Sequence, residues 1–156
     1  MPSWALDMKA RGDEEIRLRT LLAFYDSFLK LTLKGMREVL GDKGALGVLR
    51  FAARDYGAEL AKSMRALGRK GLREALSMVL ERAGVEPELS EEGTRLVVKL
   101  KRCPFKRPEE EPLLCAITQG LLEGFTNVFG KAKVSKLRTI AEGADSCAFA
   151  ITFLET

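Results

Sequence analysis

The chain has 156 residues, 46% of them hydrophobic and 31% charged, with 26 Lys and Arg against 22 Asp and Glu. That composition is too apolar for a disordered segment and too charged for a membrane protein. There is no histidine and there are three cysteines, which excludes Ser-His-Asp and Cys-His catalysis, His-ligated haem and Cys₂His₂ zinc.

Residues 1–13 read as a flexible lead-in without the apolar stretch of a signal peptide. No run reaches the ~18 apolar residues of a membrane span. The expected compartment is therefore cytoplasmic, where thiols stay reduced. From Glu14 to Leu40, Leu18, Leu21, Leu22, Tyr25, Phe28, Leu29, Leu33, Met36 and Leu40 recur at three- and four-residue steps. This spacing predicts a long amphipathic helix closed by Gly41. A second helix is predicted after Asp42, carrying Leu46, Leu49, Phe51, Ala53, Tyr56, Leu60 and Met64 and stopping at Gly68. A third runs from about Gly71 to Arg82. The aromatics Phe24, Tyr25, Phe28, Phe51 and Tyr56 read mostly as core, and an apolar ligand pocket is expected between these helices and a sheet.

Periodicity then changes. Residues 85–89 and 94–100 read as two strands joined by a turn at Glu91-Glu92-Gly93. A loop from Arg102 to Glu111 leads to a helix over Pro112–Phe129, with Glu109, Glu110 and Glu111 at its positive end. Gly120 and Gly124 form a G-x-x-x-G on it, read as close packing inside the monomer. Val134–Ile140 and Ser146–Leu154 complete the pattern as strands. Helices followed by ββαββ make an α+β fold, with N-terminal helices packed on an antiparallel sheet, as one domain over residues 14–156.

Cys103 follows the second strand, Cys115 opens the next helix and Cys147 lies early in the last strand. A helix N-terminus favours anions, so a depressed pKa is expected for Cys115. Strand alternation would put Asp145 on the face of Cys147. Three thiolates with Asp145 as fourth ligand would suit zinc or an iron–sulfur cluster. The alternatives are a thiol-dependent enzyme using Cys115 or Cys147, with a carboxylate or Lys as base, and a scaffold with inert core cysteines. Arg65, Arg69, Lys70 and Arg73, and Lys99, Lys101, Arg102, Lys106 and Arg107, form basic clusters. With acidic residues interleaved they read as solvated surface, and no nucleic-acid partner is expected. One Gln and one Asn among abundant Glu, Lys and Arg suit a thermophile.

The segments Cys103-Pro104-Phe105, Pro112-Leu113-Leu114-Cys115, Gly120 with Gly124, and Gly143 to Ile151 resemble the 4-vinyl reductase (hydrocarbon-binding) domain family. That family is related to methanogen output domains and to the sensor half of some ArsR-like regulators. The pattern Leu40-Gly41-Asp42-Lys43-Gly44-Ala45 is similar to its N-terminal helix pair. The resemblance implies a homodimeric α+β domain that binds a small apolar ligand as a sensor. It also implies Cys103, Cys115 and Cys147 as metal or cluster ligands. The turn before Cys147 carries one residue more than the family pattern.

Overall fold

From residue 3 to residue 66 the sequence has no proline and is rich in Ala, Leu, Lys, Arg and Glu, which are strong helix formers. It forms one long helix, α1 (Ser3–Ala66), interrupted at Gly41, whose φ of 73° and ψ of 172° suit glycine alone. The predicted stop at Gly41 is thus a kink between a first limb, residues 3–40, and a second limb, residues 42–66. The computed structural model describes residues 3–154 and the side chains of α1 from residue 11 onward. The lead-in read over 1–13 is helical from Ser3, because nothing from there to Gly41 breaks a helix. Residues 1 and 2 lie outside the described residues.

After Gly68 (φ 84°) come α2 (Leu72–Arg82), β1 (Pro87–Glu92) and β2 (Arg95–Leu100). A 3₁₀ turn at Pro108–Glu110 precedes α3 (Leu114–Phe129). The chain ends in β3 (Ala132–Arg138), a second 3₁₀ turn at Ile140–Glu142, and β4 (Cys147–Phe153). The sheet is antiparallel in the order β1-β2-β4-β3. α3 therefore carries the chain from the β1–β2 hairpin to the far edge, and β4 returns between β2 and β3. This is the α+β arrangement expected, with ββαββ in chain order.

The helices cover one face of the sheet. Leu96, Val98 and Leu100 of β2 and Cys147, Phe149 and Ile151 of β4 meet Leu76 and Leu80 of α2, Leu122 and Phe125 of α3, and Ala61 and Met64 of α1. Phe125, Leu122, Leu76 and Ile151 have no exposed surface. The space expected to hold an apolar pocket is filled by these side chains. A second cluster joins Leu33 and Leu49 of α1 to Leu114 of α3, with Phe105 and Ile117 against it. The five aromatics read as core are not core. Phe24, Tyr25, Phe28, Phe51 and Tyr56 are between 59% and 74% exposed, and none of them joins a buried cluster.

Candidate functional site

Three elements deliver the cysteines to one end of the sheet: the segment after β2, the first turn of α3, and the start of β4, where Cys147 stands opposite Leu100. All three are free thiols, close enough that the charge of one acts on the others. Burial pushes the Cys103 thiol above its ordinary pKa. The backbone N–H of Phe105 works the other way, while Cys147, Cys115 and Glu109 add to the rise. Burial pushes Cys115 up as well. The hydroxyl of Thr139 beside it and the Lys136 ammonium oppose that rise, and Cys147 and Glu142 reinforce it. The thiolate expected at the start of α3 is corrected accordingly: at this depth the loss of water outweighs the field of the helix.

Cys147 is buried, and its Sγ accepts the N–H of Ile140 at 3.3 Å. Thr139 is buried too, and its Oγ1 has no hydrogen-bond partner. Asp145 is exposed. β4 begins at Cys147, so strand alternation stops short of Asp145, which sits in the turn after Gly143 (φ 93°). Its Oδ1 accepts the Ser146 hydroxyl at 3.2 Å. The carboxylates that act on the thiols are Glu109 and Glu142. Among the described residues, no group of three or more Cys, Asp and Glu side chains is placed to hold a metal ion.

Glu111 ties this end together. Its Oε1 accepts from Leu113 N at 3.3 Å, just ahead of α3, and from Arg37 Nη2 at 2.6 Å. Its Oε2 accepts from Arg37 Nη1 at 3.1 Å. A bidentate guanidinium on a buried carboxylate is among the stronger polar contacts in proteins. It latches the first limb of α1 to the loop that carries Cys103. Lys30 adds a bond from Nζ to the Lys106 carbonyl at 2.6 Å.

Farther along, α1 and α3 cross with their backbones in contact. A Cβ at Gly57 would fall 2.2 Å from the Leu121 carbonyl oxygen, and one at Gly124 would fall 1.9 Å from that of Arg54. The G-x-x-x-G thus serves packing within the chain. Between its two glycines lies Glu123, the only charged residue of that helix. It is buried and accepts from Arg50 Nη2 at 2.8 Å and Arg54 Nε at 2.5 Å. Arg50 Nε is buried without a hydrogen-bond partner. Sequence reasoning passed over Glu123, Arg50, Arg54 and Arg37. A single acid inside an otherwise uncharged apolar helix was the available signal.

These arginines border an open cleft of about 950 Å³ between the second limb of α1, α3 and β3. Phe51, Val128 and Leu154 give it apolar walls, and Arg54, Glu123 and Asn127 give it polar ones. A smaller hollow of about 250 Å³ holds Cys115, Leu46, Leu113 and Lys136 and shares Arg50 and Gln119 with the first. Cys115 therefore lines a hollow that adjoins the cleft. The basic clusters are largely neutralised: Arg69 pairs with Glu74, Arg73 with Glu91, Lys101 with Glu88, Arg102 with Glu86 and Arg107 with Glu110. Among the described residues no helix is long and apolar enough to cross a membrane.

The family model of methanogen output domain 1 matches residues 68–152, the stretch from just before α2 to β4 that contains all three cysteines. No curated protein matches the sequence. Two solved structures share the fold. A trafficking protein particle complex subunit 3 from Naegleria fowleri, covalently bound to palmitic acid, has a TM-score of 0.64 at 15% identity, over 90% of this chain and 97% of that one. The phenol-responsive sensory domain of the transcription activator PoxR, with phenol, has a TM-score of 0.59 at 17% identity, over 82% of this chain and 74% of that one.

Proposed function

The chain belongs to the methanogen output domain 1 family, and we propose that it acts as a small-molecule-binding sensory domain working as a homodimer. The observation that carries the binding reading is the floor of the cleft, where two guanidiniums meet one carboxylate. Glu123 balances one of Arg50 and Arg54, leaving a positive charge beside the apolar walls of Phe51, Val128 and Leu154. Asp55 and Lys133, on the same lining, offset one another. The ligand class that fits is a small molecule with an apolar body and one anionic or hydrogen-bonding group. Two proteins with this fold hold molecules of that description, palmitic acid and phenol.

Thermal denaturation with benzoate and phenol as probes tests this. Benzoate at millimolar concentration is expected to raise the melting temperature in proportion to log concentration, and Arg54→Ala is expected to abolish the rise. No shift with either probe, together with a native mass spectrum free of any co-purified small molecule, would overturn the reading.

A second reading rests on the three thiols lying within reach of one another's charge, beside an unpartnered Thr139 hydroxyl. In it Cys103, Cys115 and Cys147, with Asp145 or another oxygen donor, hold zinc or an iron–sulfur cluster. The sulfurs would have to draw closer than they stand and give up protons that burial now retains. Metal and sulfide analysis of protein prepared without oxygen decides it: one metal or cluster per chain, lost in Cys115→Ser, supports it. Metal-free protein of unchanged stability removes it.

A further inference from the structure

Every side chain of α1 from residue 13 to residue 25 is exposed. A helix standing alone in water over that length is marginal, and this one is apolar over more than half its circumference. At 100° per residue, Leu18, Leu22 and Tyr25 continue the line of Leu29, Leu33 and Met36, which packs on Phe105, Leu114 and Ile117 of the same chain. Leu21, Phe24, Phe28 and Leu31 widen the face, and all seven of these residues outside the packed line are exposed. Together they leave on the order of 800 Å² of apolar side chain uncovered, with Glu14 and Arg17 on the same arc at its N-terminal end. That exceeds the largest patch of a typical monomer and matches the roughly 800 Å² per partner of a stable complex.

The charges beside this face carry an order. On the rim next to Leu18, Leu22 and Tyr25 stand Glu15, Arg19, Asp26 and Lys30, reading negative, positive, negative, positive along the helix. Reversed end for end, that series becomes its own complement. We propose that the occupant of this face is the first limb of a second copy, packed antiparallel about a two-fold axis near residues 22 and 23. Glu15 of one copy then lies opposite Lys30 of the other, and Arg19 opposite Asp26. A parallel two-fold pair would put the two copies of this rim on opposite sides of the contact, where the series could not meet itself. Within one chain the rim charges already pair as Glu15 with Arg19 and Asp26 with Lys30; Lys30 also holds the Lys106 carbonyl and lies 3.8 Å from Glu110, so the partner's Glu15 takes the place of Glu110 there, while the Arg19 guanidinium and the two carboxylates have donor and acceptor positions to spare. A two-fold contact is self-complementary by construction, and an antisymmetric charge series is what such a contact requires. The partner's residues 11–18 then lie over the body near Lys106, beside the loop of Cys103.

This inference rests on the homodimeric reading above and is independent of the ligand. Sedimentation equilibrium on the full chain tests it together with cross-linking through single introduced cysteines, the parent protein serving as control for its own thiols. The parent is expected to be a dimer, and Tyr25→Glu is expected to weaken association at least tenfold. Arg19→Asp is expected to weaken it, and Arg19→Asp with Asp26→Arg to restore it, with helix content unchanged by circular dichroism. Leu22→Cys is expected to cross-link across the two-fold and Glu14→Cys to fail. A monomeric parent would overturn the homodimer and this interface together. A dimer that Tyr25→Glu leaves intact, or one that cross-links equally at 14 and 22, overturns the interface alone.

Discussion

Replacing Gly124 by Ala tests the closeness of α1 and α3. The new Cβ would stand 1.9 Å from the Arg54 carbonyl oxygen and 2.6 Å from its carbonyl carbon. Ordinary contact begins near 3.4 Å, so the helices must part or rotate by about 1.5 Å, a shift that also strains Glu123 against Arg50 and Arg54. The obstacle is backbone, and no rotamer change relieves it. Overpacking of a core costs about 1–3 kcal/mol, and a backbone clash belongs at the upper end. Against that, Ala in a helix is favoured over Gly by about 0.8–1.0 kcal/mol. The net expectation is a loss of about 2 kcal/mol, or roughly 4–8 °C of melting temperature at this chain length. Gly47→Ala is the control. Gly47 is helical and exposed, with nothing within 4 Å of a built Cβ, so there the propensity gain stands alone, up to about 1 kcal/mol. Urea unfolding followed by circular dichroism compares the pair. A Gly124→Ala protein as stable as the parent would refute the reasoning.

The other expectations follow from the buried polar groups and the core. Arg37→Ala leaves the Glu111 carboxylate buried beside a single backbone N–H, and a loss of about 2–3 kcal/mol is expected in urea unfolding; a loss below about 0.5 kcal/mol would show that water already serves that carboxylate. Phe125→Ala empties the centre of the helix–sheet core and is expected to cost about 3–5 kcal/mol. For the thiols the sign is fixed by the direction of the shift. Folded-state values of Cys103 and Cys115 are raised, so the native state holds those protons more tightly than the unfolded chain. Their stabilising contribution is complete below the ordinary thiol value of about 8.5 and is lost as pH climbs through the raised ones. Unfolding measured across that alkaline range should show the decline, and it should be weaker in Cys103→Ser and Cys115→Ser. Iodoacetamide should modify both more slowly than free cysteine at neutral pH. Faster modification would contradict the assignment of burial as the dominant cause.

Much of the architecture was legible because it is written locally. The glycine at 41, the start of α2, the β1–β2 hairpin and all four strands declare themselves through spacing and turn residues, and the G-x-x-x-G marked the helix contact before any coordinates. What spacing cannot report is what covers a face. Phe24, Tyr25 and Phe28 recur as core residues do, yet they touch one another and stay exposed, and among the described residues no buried cluster includes them. The sign of the Cys115 shift was misread, because a helix terminus is visible in sequence and its depth is not. Strand parity does not reach Asp145, because β4 starts at Cys147. Glu111 and Glu123 find their arginines 69 to 74 residues away, and no local pattern encodes a partner at that separation.

The kink at Gly41 makes α1 one helix in the chain and two in mechanics. An uninterrupted rod passes a twist from end to end through its ladder of hydrogen bonds. A rod broken in the middle does not, and each limb answers to what it touches. The second limb touches α3 across bare backbone and can slide along it but not approach it. The first limb touches the body through residues 29–37, at Leu33 and at the Arg37–Glu111 fork. The contacts that join the exposed limb to the rest of the chain thus run through Leu114 of α3 and through Glu111, on the far side of the break from the cleft.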